Sequence, residues 1–122
     1  MIRITPANAY RGLPCSMVAV GCAMQTVDTA VISGLRSPDL QTDGYLSLNG
    51  MNALVRANLR VKKRVNYKRG ERPALRVWAH GDGAGKKAVV CVLGHYLYFD
   101  GRDYHSFLWN GGDPVVAVWY LE

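Results

Sequence analysis

The sequence predicts an α+β domain in which N-terminal helices pack on a C-terminal antiparallel sheet. Three observations predict it. Apolar residues recur at helical spacing in the first half, and β-type runs fill the last third. Between two of those runs stands Asp100-Gly101, a hairpin-turn signal. Helices first and strands afterwards is the order of α+β folds, not of alternating α/β ones. With 122 residues, 49% of them hydrophobic, the chain supports a single core and a single domain over residues 1–122.

The elements follow in order. Pro14 then Cys15 suits a helix start, because proline is tolerated in the first turn. Cys15, Val18, Ala19, Cys22 and Ala23 then mark one buried helical face. A second short helix is expected over Val27–Ile32, ending at Gly34, and the stretch from Arg36 to Gly44 is too polar for a core element. Another helix follows Ser47, with Met51, Leu54, Val55 and Leu59 as its stripe and Ser47 or Asn49 as its cap. Val61 to Tyr67 alternates imperfectly, and its lysines suit an exposed edge strand or a loop. Pro73 opens a short helix over Ala74–Ala79, closed by Gly81. The β-type stretches are Ala88–Phe99, kinked at Gly94, then Tyr104–Trp109 and Pro114–Leu121.

Composition excludes several classes. No apolar run approaches the roughly 20 residues that span a bilayer, so no membrane partner is expected. Met1 to Pro6 lacks the apolar core of a signal peptide, which predicts a cytoplasmic protein. Three cysteines argue for reduced thiols over a disulfide scaffold, and no Cys/His spacing suits a metal. No cofactor is implied. The loop from His80 to Lys87 is glycine-rich but too short for a phosphate-binding P-loop, and Lys87 stands where that motif needs Ser or Thr.

The formal net charge is +6, and nine Lys and Arg fall between Arg56 and Arg76 with Glu71 the single acid there. Arg60, Lys62, Lys63, Arg64, Lys68 and Arg69 form the candidate basic surface. Such a segment is either a solvated face or a contact for nucleic acid or an acidic protein.

The second candidate site joins the two ends of the chain. A cysteine is nucleophilic as a thiolate, and a helix N-terminus favours the thiolate. Cys15 occupies that place, whereas Cys22 lies two turns further in and Cys91 sits in an apolar run. His95 is the candidate base and Asn110 the residue that would orient its ring. If Asp100-Gly101 makes a two-residue turn, His95 pairs with Ser106; if Gly101-Arg102 does, it pairs with Leu108. Both registers put Asn110 on the face of His95 and His105 on the other. Asp100 and Asp103 then read as turn residues.

Cys15, His95 and Asn110, in that order on helix, strand and strand, resemble the papain-like cysteine peptidase superfamily. The string Gly94-His95-Tyr96-Leu97-Tyr98-Phe99-Asp100-Gly101 is similar to that of its small bacterial and phage branch. The resemblance implies a papain-like fold and a cysteine peptidase or related thiol acyl hydrolase acting on a peptide or protein substrate. Cys15 would attack the carbonyl, His95 would carry the proton and Asn110 would hold the ring. The family places a glutamine six residues before the cysteine as an oxyanion donor. Here that position is Ala9, and Asn8, one residue earlier, is the candidate donor. The alternative is a non-catalytic module on such a scaffold that binds nucleic acid or an acidic protein through residues 56–76.

Overall fold

Two apolar surfaces, back to back on one sheet, organise the chain. The computed structural model describes residues 15–24, 47–93, 95–105 and 112–122. Over these residues the elements are α1 (Cys15–Ala23), α2 (Leu48–Asn58), β1 (Val61–Asn66), α3 (Leu75–His80), β2 (Ala88–Val92), β3 (His95–Phe99), β4 (Tyr104–His105) and β5 (Val115–Leu121). The strands form one antiparallel sheet in the order β1-β5-β2-β3-β4.

The expected α+β class is present, with a different layering. On one face, Met17 and Val20 of α1 and Met51 and Leu54 of α2 meet Val89, Tyr96 and Trp119. On the other, Leu75 and Trp78 of α3 meet Val90, Leu97, Val118 and Tyr120. The reason lies in β2, whose five residues are all buried, so its two faces both need cover. The sheet is also not purely C-terminal, because β1 comes from mid-chain to pair with β5.

Each helix has a local cause. The single buried face expected for α1 is too narrow: Ser16 to Cys22 are buried all round the helix. A helix apolar all round belongs inside a core. Ser47 caps α2, its hydroxyl accepting from the Gly50 N–H at 3.2 Å. At the far end Leu59 turns extended, and the Asn58 side chain donates to the Leu54 carbonyl at 2.8 Å. α3 has six residues, too few to stand alone in water. Tertiary contacts hold it. The Leu75 N–H donates to the Asp113 carbonyl at 2.8 Å, and the Trp78 ring packs edge-on to Phe99 with centroids 5.2 Å apart. The buried indole N–H of Trp78 donates to the Tyr120 hydroxyl at 3.1 Å.

Strand register corrects one expectation. Ala88–Phe99 is not a kinked strand but a hairpin: Val92 pairs with His95 and Cys91 with Tyr96. Only two residues are left to reverse the chain, and the apolar residues on both sides of Gly94 made the turn read as a kink. At the next turn Tyr98 pairs with His105 and Phe99 with Tyr104, the register of a turn centred on Gly101-Arg102. Gly101 has φ +103°, a conformation glycine adopts without a Cβ clash. The imperfect alternation of β1 has a structural counterpart. Val61 pairs with Leu121 and Lys63 with Tyr120, so Lys62 is the extra residue of a bulge. Pro14, the expected helix over Val27–Ile32, the polar stretch to Gly44, Gly94 and the strand beyond His105 lie outside the described residues.

Gly83 closes α3. Its N–H donates to the Trp78 carbonyl at 2.8 Å, and a Cβ there would lie 2.7 Å from the Trp78 ring. Gly83→Ala is therefore expected to lower stability by about 1–3 kcal/mol, the usual cost of overpacking, as measured by urea denaturation.

Candidate functional site

The cysteine and histidine of the expected triad are placed by different faces of the sheet. Cys15, the first residue of α1, is half-buried against the face that holds Cys91 and Tyr96. His95 pairs with Val92 and alternates with Leu97 and Phe99, which lie on the α3 face. The register thus puts His95 on the α3 face at the start of β3, while the Cys15 thiol accepts from the backbone N–H of Tyr96, the residue after His95. Asn110 and Asn8 lie outside the described residues.

Burial raises the Cys15 thiol above its ordinary range, opposed by backbone hydrogen bonds from Tyr96, Ser16 and its own amide. The helix start is thus outweighed by desolvation. Cys22 and Cys91 are both pushed up to about 12 by burial. His95 is pushed down by burial, against the pull of the Asp113 carboxylate.

A different histidine is held by an acid. Tyr98 pairs with His105, which puts His105 on the α1 face, opposite His95 as the register arithmetic requires. Its Nε2 lies 2.7 Å from Asp100 Oδ2, and the other Asp100 oxygen accepts from the Arg102 and Asp103 amides at 2.8 Å each. Burial raises the Asp100 carboxyl, but the Asp103 amide, the His105 side chain and the Arg102 amide outweigh it and hold it below its ordinary range. Asp100 is thus the turn residue expected, with an added part in clamping β4.

The basic segment is where side chains converge. Among the described residues β1 is an edge of the sheet, and its basic residues wrap both sides of it. Arg64 pairs with Trp119 and lies over that ring, 5.3 Å from its centroid, on the α2 side. Lys63 pairs with Tyr120 and lies 5.3 Å from that ring's centroid, on the α3 side. The bulge decides this. With a period of two, Lys63 would share the face of Val61; the extra Lys62 turns it to the other face.

There it meets a second group of lysines. Lys86, from the glycine-rich loop, lies 5.4 Å from the centroid of the same Tyr120 ring. Lys62, Lys63, Lys86 and Lys87, with Gly85, Tyr120, Leu121 and Glu122, line an open cleft of about 400 Å³. A smaller hollow of about 280 Å³, with Arg60 in its wall, shares Lys87, Leu121 and Glu122 with it. Among the described residues none of Arg60, Lys62, Lys63, Lys86 and Lys87 is ion-paired. Lys68 and Arg69 are exposed beyond the end of β1.

The loop that brings Lys86 is itself positioned. The Gly85 N–H donates to the Gly101 carbonyl at 2.9 Å, and a Cβ on Gly101 would lie 3.0 Å from the Gly85 carbonyl carbon and 3.2 Å from the Lys86 nitrogen. The β3–β4 turn thus abuts the lysine loop. The Gly85 and Lys86 amides are both engaged within the protein, so the loop is no P-loop cradle and its side chains are what it offers an anion.

No protein-family model, no curated protein and no solved structure matches the chain. The site therefore rests on its own geometry. Sequence reasoning found the β1 cations and missed Lys86, Lys87 and Tyr120. The signal available was the Lys86-Lys87 pair, but nothing local ties it to a strand more than twenty residues earlier.

Two outcomes follow. Because burial raises the Cys15 thiol, its alkylation by iodoacetamide at pH 7 is expected to be slower than that of an unfolded control, and His95→Ala should leave the rate unchanged. Mass spectrometry of the labelled protein across pH checks both. For Asp100, a depressed carboxyl contributes stability that is complete above the unfolded value near pH 4 and lost as pH falls through the folded one. Asp100→Asn should cost about 1–3 kcal/mol at pH 7 and flatten the acid limb of the stability curve, read by denaturation from pH 7 to 2.

Proposed function

We propose that the protein is a non-catalytic binding module that grips the phosphates of a nucleic acid along the edge of its sheet. One observation carries this reading: four lysines from two distant segments converge on one cleft, where among the described residues Glu122 is the one acid in the lining and none of the four lysines is ion-paired. Folding has placed like charges together at a cost in repulsion, which an external polyanion relieves. Arg60, Lys68 and Arg69 extend the positive surface past both ends of β1. A reducing, cytoplasmic setting belongs to the same reading and is supported by the three free thiols. The thiol hydrolase implied by the papain-like resemblance needs a thiolate at Cys15, and burial works against one.

Phosphate contacts release counterions, so affinity must fall steeply with salt. Fluorescence anisotropy with a labelled oligonucleotide is expected to show Kd weakening on the order of 10²–10³-fold over a fourfold rise in salt, the behaviour of about five phosphate contacts. Lys62→Ala, Lys63→Ala and Lys86→Ala should each reduce the slope of log Kd against log salt by about 1. Absence of binding at low salt, or displacement by polyglutamate at equal charge concentration, would overturn the assignment; the latter would name an acidic protein as partner.

A further inference from the structure

We infer that the cleft between β1 and the glycine-rich loop seats a terminal phosphate, the phosphomonoester at the end of a nucleic-acid strand, and that the strand leaves it past Arg60. The inference rests on the nucleic-acid reading above and makes it specific. A continuous backbone presents single charges spaced along a line, and a line of cations matches it. Here Lys62, Lys63, Lys86 and Lys87 instead share one concavity of about 400 Å³. An internal phosphodiester carries one negative charge. A phosphomonoester carries about −1.5 to −2 at pH 7 and three strong acceptor oxygens.

The donors also suit a terminal group. Every cation of the cleft is a lysine, a compact charge with three rotatable donors and no fixed fork. Such donors converge on a phosphate from several directions without demanding one orientation. Lys63 and Lys86 are held by the same Tyr120 ring, which attracts both ammonium groups through its π face. That ring is 5% exposed and its hydroxyl accepts from buried Trp78, so it is fixed to the core and serves as a floor, not as a stacking partner for a base.

The exit follows from the second hollow. Lys87, Leu121 and Glu122 line both concavities, and Arg60 lines the second. The backbone fixes this adjacency: the Leu121 N–H donates to the Lys87 carbonyl at 2.9 Å and the Glu122 N–H to the Arg60 carbonyl at 3.1 Å. A strand whose end lies among the four lysines meets Lys87 and then Arg60 with its next phosphates.

The test compares one single-stranded oligonucleotide in three forms: 5′-phosphorylated, 3′-phosphorylated and hydroxyl at both ends. Binding is read by anisotropy at two salt concentrations. One phosphorylated form is expected to bind at least about tenfold tighter than the dihydroxyl form, since charge-assisted contacts are the strong ones; which form does so identifies the end. The variant Lys63→Ala/Lys86→Ala should abolish that preference, whereas Lys68→Ala should weaken all forms alike. A ³¹P spectrum of the folded wild-type complex gives a second readout, with the terminal resonance shifting and its second pKa falling. Equal, salt-dependent binding of all three forms overturns the terminal seat and leaves the nucleic-acid reading standing. Failure of all three to bind overturns both.

Discussion

Strand β5 is the constraint on which the other elements depend. It pairs with mid-chain β1 on one side and with β2 on the other, so it joins residues far apart in sequence into one sheet. Each of those pairings contains a bulge. Against β2 the extra residue is Val116, which lets Val115 face the α3 core while Val116 and Ala117 pack toward α1 and α2. Against β1 the extra residue is Lys62. A bulge bends its strand and re-aims the side chains after it. Without the second one, Lys63 would point toward α2, and the cleft would lose one of its two ring-bound cations.

Tyr120 connects the core to that cleft. One end of the side chain is locked to Trp78 by a buried hydrogen bond, and its ring meets Lys63 and Lys86. Trp78 in turn closes α3 over Phe99, and Gly83 leaves space for the indole. The packing of a six-residue helix is thereby coupled to the position of surface charges. Trp119, the neighbouring residue, repeats the arrangement on the other face: its indole N–H donates to Asn52 at 2.9 Å and Arg64 lies over its ring. Alternation along one strand thus carries a cation to each side of the edge.

Two of the residues that carry the papain-like resemblance, Cys15 and His95, sit on α1 and β3. Cys15, a helix start, is where pattern reading places it, and the observed pairs match a turn centred on Gly101-Arg102. What pattern could not supply was which face of the sheet α1 covers. Period two separates Tyr96 from His95, and α1 packs on the side of Tyr96. A single residue of register therefore decides which face of the sheet each side chain of β3 takes. The same parity sets His105 on the α1 face, where Asp100 holds it.

Much of the local structure was legible in the sequence because local chemistry sets it. Ser47 caps α2, Gly81 ends α3, Asp100-Gly101 begins a tight turn, and lysines mark β1 as an edge. The Ala88–Phe99 hairpin was not legible, since an apolar run buried on both faces has no alternation to show its turn. The sequence by itself determined the fold class, the helix ends and the excess of positive charge. Only the tertiary structure decided where that charge acts. Lys62 and Lys63 meet Lys86 and Lys87 because β5 pairs with β1 and β2 at once, and such long-range pairing depends on packing that no local pattern encodes.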